Sequence, residues 1–265
     1  MDFNRLQQRL HAIKSTFGCK GCKAFMLALA LLTRLPTLAI NDIQPQDSSR
    51  SALFYPLVGL VIGLLLYLPV LLFTHASPMV LAAIIITLWS VITGGLHLDG
   101  LADSSDAWLG GMGDEDKIHR ILKDPLVGTA GVVSIVCVLL LKFVTLTALL
   151  EKAGDSAGWF IIFAPIVGRS MILLLFMTTQ YIREQGLASE IVEHLPVRAT
   201  WQILTVLGVL SVMLSFSGLV FALIGFWLLR RMMLNYISGF TGDTVGATVE
   251  ITEMLWLLGI VLLGV

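Results

Sequence analysis

The chain has 265 residues, of which 57% are hydrophobic and 13% charged, with a formal net charge of −1 and a mean hydropathy of +0.89. A soluble domain carries about 25% charged residues, so this composition excludes one, and with no long basic tract it gives no reason to expect nucleic acid as a partner. Several apolar runs reach the roughly 20 residues that cross a bilayer as helix, which predicts an all-α fold: a polytopic integral membrane helical bundle whose partner is the lipid bilayer.

In chain order, residues 1–23 carry Arg5, Arg9, Lys14, Lys20 and Lys23, with Phe3, Leu6, Leu10, Ile13 and Phe17 at helical spacing. This pattern predicts an amphipathic helix lying on the cytoplasmic membrane face rather than a cleaved signal peptide. Cys19 and Cys22 form a lone C-x-x-C with no second pair, and are read as incidental thiols. Residues 24–265 are expected to form the transmembrane bundle of a single membrane domain. Ala24–Ile40 is apolar but interrupted by Arg34 and Pro36, so it is expected to re-enter rather than cross.

Spans are predicted at Leu53–Phe73, Met79–Leu98, Leu126–Leu150, Trp159–Thr178, Trp201–Ser217, Leu219–Tyr236 and from Thr244 to Val265. That is about seven crossings plus one partial helix. Sidedness follows from the basic residues. Lys117, Arg120 and Lys123 share one polar loop, Arg183 and Arg198 another, and Arg230-Arg231 end a span, whereas the opposite connections hold only Lys152. The polar loops are therefore placed in the cytoplasm, with the protein in the cell inner (cytoplasmic) membrane.

Chemistry concentrates where spans meet those loops. Asp99, Asp103 and Asp106 recur at i, i+4 and i+7, so on a helix they share a face. Clustered carboxylates at a membrane boundary call for a compensating cation, and oxygen ligands suit Mg²⁺, which takes one or two carboxylates plus substrate phosphates. His97 precedes them. Lys123 leads into a Gly-rich turn through Gly128 to Gly131 that opens a span, a seat for phosphate. Farther on, Thr241, Gly242 and Asp243 precede Glu250 and Glu253, which lie one turn apart and are read either as functional or as caps. Arg34 and Arg169 lie in apolar segments, where an Arg either snorkels or faces a polar cavity. These residue types describe phosphoryl or nucleotidyl transfer and do not name the substrates.

The motifs are more specific. Gly94-Gly-Leu-His-Leu-Asp-Gly-Leu-Ala-Asp103, with Thr33-Arg-Leu-Pro36, Phe54-Tyr-Pro-Leu-Val-Gly59, Lys123-Asp124, Val127-Gly-Thr129, Arg183-Glu-Gln-Gly-Leu187 and Thr241-Gly-Asp-Thr-Val-Gly-Ala247, resembles the cobalamin synthase (adenosylcobinamide-GDP ribazoletransferase) family over nearly the full length. The resemblance implies a Mg²⁺-dependent membrane transferase that joins adenosylcobinamide-GDP to α-ribazole or its 5′-phosphate and releases GMP. It implies that Asp99 and Asp103, with Asp106 and Asp243, hold the metal. Lys123 and Arg34 or Arg183 would contact phosphate, Gly128, Thr241, Gly242 and Glu250 would border substrate, and His97 or Asp106 would serve as base. A homo-oligomer, or association with other corrinoid-assembly enzymes, stays open. Two rivals stand at this point: a CDP-alcohol phosphotransferase, whose D-G-x-x-A-R signature lacks its Arg here, and a secondary transporter, for which no internal repeat is evident.

Overall fold

Long apolar runs set the architecture. The structure, a computed structural model, describes residues 20–38, 40, 43–182 and 187–264. Among the described residues it contains twelve α-helices and no strand. They are α1 Lys20–Leu32, α2 Pro45–Ala52, α3 Tyr55–Leu72, α4 Pro78–Thr93, α5 Leu96–Gly111, α6 Glu115–Ile121, α7 Thr129–Lys152, α8 Ala157–Thr178, α9 Leu187–Glu193, α10 Val197–Leu214, α11 Phe216–Ile237 and α12 Gly242–Leu263. The expected amphipathic helix falls, up to residue 19, outside the described residues, and so does Arg183.

Six helices (α3, α7, α8, α10, α11 and α12) are each long and apolar enough to cross a membrane, and α4 with α5 makes a seventh only as a pair bent by 88°. The chain is thus a multi-pass membrane protein. The bend corrects one expectation: the span predicted to run to Leu98 stops at Thr93. Gly94 and Gly95 follow with φ of 63° and 70°, a left-handed conformation open to glycine at little cost. Gly94 ends α4 and Gly95 starts α5. The apolar Leu96 and Leu98 therefore belong to the helix that carries the acids, turned almost at right angles to the span before it.

Helix α1 has 13 residues, about 20 Å at 1.5 Å per residue, short of the roughly 30 Å hydrocarbon core. It suits a partial helix, and it runs unbroken through residue 23, where a segment boundary was expected. Lys23 holds it to α2 through a 2.6 Å ion pair with Asp47, and that contact keeps the Asp47 carboxyl below the usual carboxylate range.

Helices α8 and α12 form the centre, and α10 turns Val206, Val209 and Met213 outward. Lipid offers no hydrophobic drive for pairing, so close approach relies on small residues. On α3, Gly59 and Gly63 meet the α8 backbone at Pro165 and Ile162, and a Cβ at Gly59 would stand 2.5 Å from the Pro165 carbonyl oxygen. Cys137 is exposed on α7.

Candidate active site

The first turns of α5 and α12 cross at two glycines. A Cβ on Gly100 would lie 2.5 Å from the Asp243 carbonyl oxygen, and one on Gly246 would lie 3.0 Å from that of His97. This approach sets Asp99 of α5 and Asp243 of α12 in the wall of one cleft of about 330 Å³. His97, Gly100, Gly242 and Gly246 line the same cleft. The rest of the lining is largely apolar and aromatic, with Tyr55, Phe176 and Tyr181 beside Ile172, Ala188 and Ile191 among its residues. Phe240 backs this wall, stacked on Phe176 at 5.5 Å and against Tyr181 at 5.2 Å between ring centroids. A short parallel bridge between Tyr181 and Phe240 pins the segment after α8 to the one before α12, through Ile182 N–H to the Phe240 carbonyl and Phe240 N–H to that of Gln180.

The expected residues divide into three groups. Asp99 is exposed, Asp243 half-buried, and both face the cleft; half-buried Asp103 lies one turn beyond Asp99 on the same face. Thr241 is buried as the cap of α12 and accepts from Thr244 N–H at 3.4 Å, while the Thr244 hydroxyl oxygen accepts from Thr241 N–H at 2.9 Å. Its role toward Gly242 and Asp243 is to start the helix that presents them. Arg34 is exposed just past the end of α1 and lies over Gly94, where a Cβ would stand 2.5 Å from its Cγ and Nε. It does not lie inside an apolar segment.

Asp106 belongs elsewhere. Its carboxylate accepts from Gly128 N–H at 2.7 Å and from Gly131 N–H at 2.9 Å. It thereby caps α7 from outside, satisfying donors that a helix N-terminus leaves orphaned. The phosphate seat expected in this Gly-rich turn already holds an anion, and it is the chain's own. Lys123 stands exposed on the turn before it and does not line the cleft. Asp106→Ala is expected to lower stability by about 0.5–2 kcal/mol, as for the loss of a helix N-cap over part-buried donors; thermal unfolding in detergent reads this, with residual activity falling in step with folded protein.

Glu250 lies deeper. Behind the cleft, charges from three helices meet out of water. Lys142 Nζ on α7 donates to Glu250 at 2.7 Å and to Glu253 at 2.8 Å, both on α12. Arg169 of α8 pairs with Glu253, and its Nη2 is 3.4 Å from Nδ1 of His97. Lys142 also sits 4.2 Å from the centroid of the Trp89 ring on α4. Two cations thus offset two carboxylates, which burial in a membrane core requires. Arg169 does face polar groups, as its place in an apolar span suggested. Sequence reasoning missed Lys142; the signal was a lone cation inside an apolar run.

The sequence model of the cobalamin-5-phosphate synthase family matches residues 24–261. Three relatives, all called adenosylcobinamide-GDP ribazoletransferase, are similar over most of their length. The one from Pseudomonas fluorescens (strain SBW25) is 43% identical over 242 residues, covering 90% of this chain and 99% of that protein. That of Acinetobacter baumannii (strain ACICU) is 45% identical over 233 residues, covering 86% and 93%. That of Pseudomonas entomophila (strain L48) is 46% identical over 243 residues, covering 90% and 98%. No solved structure matches the chain.

Proposed function

Because the chain belongs to the cobalamin-5-phosphate synthase family, we propose that it is an adenosylcobinamide-GDP ribazoletransferase. It joins adenosylcobinamide-GDP to α-ribazole or its 5′-phosphate, giving adenosylcobalamin or its 5′-phosphate and GMP. The observation that carries this reading is the mixed lining of one cleft, which joins Asp99 and Asp243 with the aromatic side chains of Tyr55, Phe176 and Tyr181. The carboxylates suit a diphosphate with its counter-cation, and the aromatic side chains suit a flat heteroaromatic base.

In the reaction, a ribose hydroxyl of the acceptor attacks the phosphorus ester-linked to the cobinamide arm, and the bond to GMP breaks. A 5′-phosphate on the acceptor is kept in the product, so the attacking oxygen is a ribose hydroxyl other than the 5′ one. About 330 Å³ is at the small end of the roughly 300–1,000 Å³ range of ligand sites. The corrin ring therefore stays outside, and only its nucleotide arm enters.

Asp99 and Asp243, with Asp103 near, fit Mg²⁺, which usually combines one or two carboxylates with substrate phosphates. Among the described residues no three His, Cys, Asp or Glu side chains converge as a self-sufficient metal cage, and a bound diphosphate would complete the coordination. When present, the ion would neutralise charge on the diphosphate and on departing GMP. Arg34, over Gly94 just before α5, is a cation that could meet a phosphate, and Asp106 supports the site from its cap on α7. Lys117, Arg120 and Lys123 lie between α5 and α7, Arg198 at the start of α10, and Arg230 and Arg231 in the last turns of α11, just before α12 brings Asp243. On the positive-inside rule these residues support a cytoplasmic cleft and a place in the cytoplasmic membrane.

The test is one assay with purified protein in lipid nanodiscs, adenosylcobinamide-GDP, α-ribazole and Mg²⁺. A corrinoid product with stoichiometric GMP, lost on adding EDTA, is expected. Activity confined to CDP-activated lipid alcohols would overturn the reading.

A further inference from the structure

His97 reaches the cleft wall with one ring nitrogen already engaged. Nδ1 faces Nη2 of Arg169 at 3.4 Å, and a guanidinium has donors but no acceptor. Nδ1 must therefore offer its lone pair, which leaves the ring proton on Nε2. A proton on Nδ1 would set donor against donor with water excluded, since His97 is 2% and Arg169 0% exposed.

Arg169 is itself held. Glu253 pairs with it and takes a second hydrogen bond from Lys142, which also reaches Glu250 and lies against Trp89. Glu253 has room for this because its neighbour on α8 is Gly168, where a Cβ would stand 2.6 Å from the Glu253 Cγ. The cluster is charge-balanced without His97, so no member needs the imidazole as a partner in ionic form.

We infer that Arg169, held by Glu253 and Lys142, is a positioning residue that fixes His97 as an Nε2–H hydrogen-bond donor at the cleft. His97 then donates to a phosphate or leaving-group oxygen and does not take the acceptor's proton; that duty falls to a cleft carboxylate. The identity of the recipient rests on the transferase reading above, whereas the tautomer does not.

Long-range ¹H–¹⁵N correlation spectra of histidine-labelled protein in nanodiscs test the tautomer directly, with the His97 signals assigned by their loss in His97→Gln. The expected pattern is an unprotonated Nδ1 and a protonated Nε2. A proton on Nδ1, or an imidazolium at neutral pH, would overturn the inference. In Arg169→Gln the tautomers mix and kcat falls at little-changed KM, and Arg169→Lys recovers part of both. Loss of folded protein with an unmixed tautomer would reduce Arg169 to a packing role.

Kinetics of His97 variants give a second readout. Glutamine places an amide N–H near the position of Nε2–H, so His97→Gln keeps turnover within about tenfold of wild type with a parallel pH profile, while His97→Ala loses about 10²–10³-fold, as for an oxyanion donor. If the Gln and Ala variants are equally slow and His97→Gln loses the acidic limb of its pH profile, His97 is the base and the inference fails. An Nε2–H signal in a protein with no transferase activity would keep the lock and discard the transferase reading instead.

Discussion

Asp99→Asn and Asp243→Asn each lower kcat by about 10³-fold, equivalent to some 4 kcal/mol of transition-state stabilisation at 1.4 kcal/mol per decade. Both exchanges keep shape and remove charge at the rim of the same cleft, so the amount of folded protein stays at the wild-type level. GMP release measured across a Mg²⁺ titration checks this, with residual activity demanding more metal. Asp103→Asn follows the same pattern if its place one turn from Asp99 lets it share the ion. Near-normal GMP release by the Asp99 and Asp243 variants would sink the metal assignment.

Lys142→Met produces the largest loss of stability. It leaves Glu250 and Glu253 buried with Arg169 as the sole cation in the cluster, and breaking a buried pair by removing one partner costs about 3–5 kcal/mol. Denaturant unfolding in mild detergent reads the loss. Adding Glu250→Gln restores balance and most of the stability, because one charge of each sign is then gone. A single Lys142→Met variant that unfolds with the wild type would contradict the ion cluster itself.

The bundle was legible because hydrocarbon leaves a coarse signature: runs long enough to cross read plainly as spans. The acid face was legible too, since i, i+4, i+7 spacing survives into α5. What escaped was long-range. Asp106 shares the spacing of Asp99 and Asp103, yet its partners are Gly128 and Gly131, 22 and 25 positions away. Spacing predicts a common face, and it cannot tell which neighbour that face meets two turns further on. Lys142 finds its carboxylates 108 and 111 positions away, and inside an apolar run it looked like part of a span. The end of α4 was masked for another reason: Leu96 and Leu98 continue the apolar tally past the break, and only the Gly94-Gly95 pair marked it. Arg183, prominent in the sequence pattern, lies outside the described residues, so its place at the cleft rests on the family resemblance alone.

The crossing of α5 over α12 carries a consequence for variation. Gly100 and Gly246 are already the smallest residues the genetic code offers, so a substitution at either can only add bulk. Each addition meets backbone, not a yielding side chain, and wedges apart the helices that bring Asp99 and Asp243 together. Drift at this joint is one-sided. The carboxylates themselves can be exchanged for neighbours of similar size and tested for chemistry, whereas the two glycines set the gauge of the site and admit no step in either direction.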